Sequence, residues 1–293
     1  MSRVLCFDIG GTGIKAAVYE QNGQKVRSYP SRPTRSEEQS ILEIVIEMTG
    51  IILREEQVIG IAIASAGVIN SQTGTVIYSG YTIPNYTGTE LKKNLEGMFG
   101  LPCEVENDVN AACLAESWKG AAKGCQSAVC LTIGTGVGGA ILLNNQLVKG
   151  VGFTAGEIGY LPVAGDYFQN SASTSALIKR ANELDDIKQY ENGKEIFDLA
   201  QKGNRFCQQA IDEFITQLST GLVMLIYLFN PEIIVLGGGI MSQKGTLHVK
   251  IKESVTAQLI SPIFNKTRIE FAENKNDAGM LGALYHFNKQ QIQ

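Results

Sequence analysis

Histidine is nearly absent from this 293-residue chain, which has only His248 and His286, each alone in sequence. Zinc therefore has few possible ligands, and a His-based hydrolytic triad is poorly supplied. The six cysteines (6, 103, 113, 125, 130, 207) include no CxxC pair and sit mostly in apolar runs. That usage is expected of buried free thiols in a reducing, cytoplasmic setting. No secretory signal fits, because Asp8 interrupts the run Val4–Phe7 far too early. The best membrane candidate, Gly221–Phe229, is ended by Asn230-Pro231, well short of the ~20 residues a span requires. Neither sign of charge dominates: Lys plus Arg is 25 and Asp plus Glu 29, a net charge of −4. No nucleic-acid or membrane partner is expected on that balance, although a local anion site remains open. With 44% apolar and 18% charged residues the chain is globular, and its length suits two ordinary domains.

Glycine is what the chain has in excess, 32 residues gathered in a few clusters. Around them, strand-like runs alternate with helical ones, which points to an α/β architecture. Strands are expected at 4–7, 14–19, 58–64, 103–106, 128–133, 137–143 and 233–236, with a hairpin turn at Asn22-Gly23. Helices are expected at 40–55, 109–119, 173–184, 204–228 and 277–287. Another, closed by Gly100 and Pro102, should open on a capping box formed by Thr87 and Glu90. Residues 120–126 read as a crossover. One internal echo organises the rest. Residues 6–18 (CFDIGGTGIKAAV) and 130–142 (CLTIGTGVGGAIL) share a plan of apolar strand, polar residue, Ile-Gly, small-residue turn and second apolar strand. Their offset of about one domain suggests a duplicated fold with a cleft between the copies.

The glycine turns can carry chemistry. In Asp8-Ile9-Gly10-Gly11-Thr12-Gly13-Ile14-Lys15, glycines let backbone N–H groups close on an anion, and Thr12 adds a hydroxyl. Asp8 is ill placed to meet phosphate directly but well placed to hold Mg²⁺, or its waters, against phosphate oxygens. A plain tight turn is the alternative. The second turn, Gly134-Thr135-Gly136-Val137-Gly138-Gly139, matches GxGxxG, yet strand and turn follow it where a dinucleotide fingerprint needs a helix. With Gly237-Gly238-Gly239 after its own strand, the three clusters suggest phosphates clamped from two sides and a nucleoside lying on the third. Asn107-Asp108 stands at a helix start. Asp108 is there either for the helix dipole or to accept a hydroxyl proton during phosphoryl transfer. Glu157, in Gly156-Glu157-Ile158-Gly159-Tyr160, is either a surface-loop residue or an acceptor of sugar hydroxyls.

Together these pieces resemble the ROK family of repressors and sugar kinases, within the actin-like ATPase superfamily. The likeness spans nearly the whole chain: the 8–15 turn, Ser65-Ala66-Gly67, Glu106–Ala112, Thr132–Gly139, Gly156–Gly159 and Val235–Gly239. It implies a two-lobed actin-like (ribonuclease H-like) fold with duplicated β-hairpin phosphate loops and an interlobe cleft. The first lobe would be 1–119 plus a C-terminal helix at about 277–293, and the nucleotide-binding lobe 120–276. By resemblance Asp108 is the catalytic base, and Ala66, Gly67, Asn85, Asn107, Asp108, Glu157 and Tyr160 meet the sugar. Asp8, Gly10, Gly11, Thr12, Lys15, Gly134, Thr135, Gly136, Gly237, Gly238 and Gly239 would hold Mg·ATP. A homodimer is likewise implied. Family members typically follow Gly-Glu-Ile-Gly with His and a cysteine-rich zinc loop; here Tyr160 takes that place and 161–174 has no Cys or His. Structural zinc is therefore not expected, and the sugar's anomeric end is expected to be more open. The likeness is to the β-glucoside kinase branch, with N-acylmannosamine kinases, fructokinases and plain hexose kinases as alternatives and a non-catalytic sugar-sensing protein as a distant one. Repressors of the family carry a helix-turn-helix before the first glycine turn, which here comes by residue 10, so a DNA-binding role is not expected.

Overall fold

Apolar alternation on either side of the first glycine turn produces an antiparallel pair, β1 (Arg3–Ile9) and β2 (Gly13–Glu20). The Asn22-Gly23 turn then returns the chain as β3 (Lys25–Pro33). The computed structural model describes residues 2–35, 38–80, 83–163, 165–242 and 246–291. After β3 come α1 (Ile41–Ile52), β4 (Ile61–Ser65), a small hairpin of β5 (Val68–Asn70) and β6 (Thr75–Tyr78), α2 (Leu91–Phe99), β7 (Cys103–Asn107) and α3 (Asp108–Lys119). β1, β4 and β7 are parallel neighbours, giving the sheet order β3-β2-β1-β4-β7. Alternate residues of β1 enter two different cores. Leu5, Phe7 and Ile9 pack with α1 and α2, whereas Val4 and Cys6 pack with α3 and the C-terminal helix.

The second sheet repeats the plan. β8 (Ala128–Ile133) and β9 (Val137–Leu143) form the second glycine hairpin, extended by β10 (Gln146–Leu147). A short hairpin of β11 (Pro162–Val163) and β12 (Asp166–Tyr167) leads into α4 (Gln169–Ala172), α5 (Thr174–Leu184), α6 (Gly193–Gln201) and α7 (Arg205–Phe229). β13 (Ile233–Gly237), α8 (Thr246–Gln258) and β14 (Arg268–Phe271) complete it, in the order β10-β9-β8-β13-β14. Two antiparallel pairings followed by two parallel ones occur in both sheets, so the sequence echo marks a true duplication of topology. The last helix, α9 (Ala278–Gln291), packs on α3, β1 and β4 of the first sheet; residues 292 and 293 of the expected helix lie outside the described residues.

The chain divides into two units, one of residues 1–123, 149–155 and 276–293, the other of 124–148 and 156–275. The short segment 149–155, which the sequence reading places in the second lobe, clusters with the first unit. Helix α7 runs 25 residues, well beyond the apolar run at its end, and is long and apolar enough to cross a membrane by length and composition. Its apolar face is buried in the second unit's core, where Gly221 admits the ring of Phe168, and Asn230 in the left-handed region ends it before Pro231.

One expected capping device is absent. Thr87 Oγ1 accepts from the Ser79 backbone N–H at 3.0 Å, and α2 starts only after Glu90, which makes no side-chain cap. The Thr-x-x-Glu spacing is present, but the threonine is engaged elsewhere.

Candidate active site

In the first unit, three parallel strands end side by side. Register pairs Ile9 with Ser65 and Ser65 with Asn107, so the segments beyond β1, β4 and β7 leave one carboxyl edge of the sheet. That edge is where open α/β sheets place their ligands. It gathers Asp8, Gly10, Gly11 and Thr12 from the first turn, Ala66 and Gly67 from the second, and Asn107 and Asp108 from the third. The first turn is closed by Gly10 N–H to Gly13 O at 3.0 Å and tied to the end of β3 by Thr34 Oγ1, which donates to Gly10 O at 2.7 Å. Asp8 Oδ2 lies 3.2 Å from Lys15 Nζ across the hairpin. A concavity of about 470 Å³ opens here, lined by Asp8, Gly10, Thr12 and Lys15 with Ser31 and Arg32 of β3.

Gly67 must be glycine: its φ is +98°, and a Cβ would stand 2.6 Å from Tyr78 O. Its carbonyl accepts from Asn107 Nδ2 at 2.9 Å. The same amide donates to Asp108 Oδ1 at 3.0 Å, while Asn107 Oδ1 caps α3 by accepting from the N–H groups of Val109 and Asn110. Both hydrogens and both lone pairs of the Asn107 amide are thereby used. In this structure it orients Gly67 and Asp108 as well as capping the helix. Asp108 Oδ1 also accepts from Val109 N–H at 2.9 Å. Desolvation, with the Asp8 carboxylate as the second cause, outweighs these bonds and lifts the Asp108 carboxyl to about 7. Asn85 sits on an exposed turn, in the left-handed region at φ +59°. Beside it, Tyr86 is buried and its hydroxyl meets Ser65 Oγ at 2.7 Å, behind the Ala66-Gly67 turn.

In the second unit, β13 pairs with β8 in parallel, Gly237 opposite Thr132. The Gly134-Thr135-Gly136 turn and the Gly237-Gly238-Gly239 turn therefore leave the same edge of that sheet. Gly134 N–H closes on Gly136 O at 2.9 Å, and Gly134 O accepts from Thr174 N–H at the start of α5. Gly238 has φ +104°, and a Cβ there would stand 2.1 Å from Ile133 O. β9, not a helix, begins within the GxGxxG stretch at Val137 and runs on beyond it, as its context predicts. Glu157 precedes and Tyr160 ends a single 3-10 turn (158–160) packed under β9, so close that a Cβ on Gly159 would meet Val137 O at 2.2 Å. Three residues complete such a turn, which puts Glu157 and Tyr160 on one side of it. The Glu157 carboxyl is raised by desolvation, although the residue keeps an exposed face. A larger groove in this unit, about 950 Å³ and lined by residues such as Arg180 and Glu213, includes none of the glycine-turn residues.

The sequence pattern of the ROK family matches residues 4–290. The chain belongs to the ROK family. This ROK chain is 36% identical to the β-glucoside kinase of Listeria monocytogenes, over 99% of its own length and 98% of that protein's. Among solved structures it resembles a ROK family protein of Streptococcus pneumoniae in complex with sucrose, with a TM-score of 0.88, 29% identity and 99% of each chain covered. A ROK family glucokinase from Streptomyces griseus, in complex with glucose and AMPPNP, matches with a TM-score of 0.83 and 25% identity over 97% of this chain and 98% of that one. The ROK chain thus has the two-lobed actin-like ATPase fold and is an ATP-dependent carbohydrate kinase.

Several neighbours of these turns escape a reading by motif. Arg32 lies on a polar, proline-containing edge strand, and Tyr167 in a two-residue strand. Only its pairing with Ser65 distinguishes Tyr86 from other core tyrosines. Among the described residues, no group of three or more His, Cys, Asp and Glu side chains is placed to hold a metal ion.

Proposed function

We propose that this kinase transfers the γ-phosphoryl of Mg·ATP to the 6-hydroxyl of a glucose-configured sugar, either the free hexose or a β-glucoside such as cellobiose. The observation that carries the reading is Asp108: a carboxylate at the sheet's carboxyl edge, oriented by Asn107 and lifted to about 7. A base with that affinity can take a hydroxyl proton near neutral pH. Phosphoryl transfer has a loose transition state, so orientation and charge neutralisation contribute more than base strength. Backbone N–H groups of the Gly10–Thr12 and Gly134–Gly136 turns clamp the nucleotide phosphates from two sides, and the nucleoside lies on the Gly237–Gly239 turn. Glu157 accepts bonds from sugar hydroxyls.

Asp8 suits magnesium, which is commonly bound by one or two carboxylates together with substrate phosphates and waters. Its oxygen already faces one cation, Lys15 Nζ. When bound, the ion neutralises phosphate charge; Asp8 and Lys15 hold the acidic and basic sides of that arrangement. A cytoplasmic homodimer completes the proposal, and its mass in solution is checked by light scattering.

Tyr160 and Tyr167 favour a β-glucoside. The two residues are 56% and 52% exposed, with ring centroids 5.9 Å apart and edge-to-face. Exposed rings on the Glu157 side of the 3-10 turn offer an apolar face to an aglycone. A Y160A/Y167A variant should raise the KM for cellobiose about tenfold, the equivalent of one aromatic contact, and leave the KM for glucose within about twofold. Steady-state ADP release on both sugars measures this. Equal losses on glucose and cellobiose would remove the aglycone role, and turnover on N-acetylmannosamine or fructose alone would remove the glucose configuration.

A further inference from the structure

Immediately before the Asn107-Asp108 turn, Glu106 carries a side chain that is 1% exposed. Its Oε1 accepts from Asn107 N–H at 3.0 Å and from Asn110 Nδ2 at 3.1 Å. Its Oε2 stands 2.7 Å from Lys149 Nζ. The Lys149 ammonium also donates to the Ser71 hydroxyl, on the turn after β5. His286 of α9 faces the same oxygen at 4.0 Å, but burial holds its pKa down at about 4, so it is neutral at ordinary pH. The nearby Lys92 is taken by Glu104 at 2.9 Å. Among the described residues, Lys149 is therefore the cation that compensates the buried Glu106 charge.

Lys149 opens the segment 149–155, which belongs to the first unit while the chain on both sides of it belongs to the second. The segment is closed on itself by Ala155 N–H to Lys149 O at 3.1 Å, and the next two residues are Gly156 and Glu157. A buried ion pair is weak evidence for stability, since apolar residues of similar volume often serve as well. What distinguishes this one is its continuation. Glu106 holds the backbone of Asn107, and Asn107 holds both Gly67 O and Asp108 Oδ1.

We infer that Glu106 and Lys149 are a positioning pair for the sugar acceptor, fixing the Asn107-Asp108 turn from behind and pinning to the first unit the segment that leads to Glu157. This rests on the reading of that turn as the acceptor site. Neither residue touches the reacting atoms; both act through Asn107.

The test separates positioning from folding. An E106L/K149M variant removes both charges together but leaves the Asn107 N–H and the Asn110 amide without their acceptor, so its melting temperature should fall by several degrees while the protein stays folded at the assay temperature. Its kcat/KM for sugar should nevertheless fall about tenfold or more, because small misplacements of reacting groups are costly. The KM for ATP should stay within about twofold, since the nucleotide turns are untouched. A single K149M should show the same split between sugar and ATP, and K149R should recover most of the loss. A folded double variant whose sugar kinetics match wild type would overturn the inference. So would variants whose only defect is a lower folded fraction, with unchanged KM values. Wild-type protein that turns over no sugar would instead remove the acceptor-site reading, so the two failures are distinguishable.

Discussion

D108N is expected to turn over about a thousandfold more slowly than wild type while binding sugar with near-native affinity. The magnitude is that of a lost general base, and binding survives because Asn is isosteric and keeps an oxygen for the Val109 N–H. On the proposed reading, Asp108 acts as a base only when ionised. Its pKa near 7 therefore predicts a kcat/KM that falls as pH drops below about 7, a limb absent from D108N. Stability runs the other way. Burial raises the carboxyl from 3.8 to about 7, so the stability of the protonated form is fully present below about 4 and is lost as pH rises through 7. D108N cannot ionise and keeps it. Its melting temperature should exceed that of wild type at pH 8 and match it near pH 4, as a pH series of thermal melts would show. Near-native turnover in D108N would remove the base assignment.

The largest structural effect is expected at Gly282. Where α9 crosses α3, a Cβ at this position would lie 1.6 Å from the backbone carbonyl oxygen of Ala111. No rotamer change relieves a clash between main chains, so the helix itself must move. Three residues earlier, a Cβ on Gly279 would meet Asp8 Oδ1 at 2.9 Å, so the position of α9 is also felt at the first turn. G282A should lose about 3 kcal/mol, the upper end for overpacking, or roughly 6–12 °C in melting temperature for a unit of this size. G97A is the control: Gly97 is also helical, but nothing lies within 4 Å of its added methyl, and it should melt within a few degrees of wild type. A G282A protein as stable as G97A would show that α9 does not pack as described.

The contrast between these residues explains what could be read from sequence. The Asp8 turn, the helix start at Asn107-Asp108 and the second glycine hairpin were legible because each is local: a few adjacent residue types dictate turn, helix start and strand. The duplication was legible for the same reason, through two matching hairpins. β3 was not, because its residues are mostly exposed and it contains two prolines, features an edge strand tolerates and periodicity cannot detect. The Thr87–Glu90 box had the right spacing, but Ser79 claims the threonine, a partner eight residues away in sequence. Lys149 carried no signal at all. Its meaning lies in a buried carboxylate 43 positions earlier, and only the fold brings the two together.

The most direct measurement of the central claim follows the phosphoryl group itself. Wild-type protein is incubated with Mg·ATP and cellobiose or glucose, and the product is analysed by mass spectrometry and by ³¹P–¹H correlation NMR. The expected result is one phosphoryl group on the 6-oxygen of a glucose-configured ring, with ADP in equal amount and almost no product from D108N. ADP released without any phosphorylated sugar, or a phosphoryl group on a different oxygen, would contradict it.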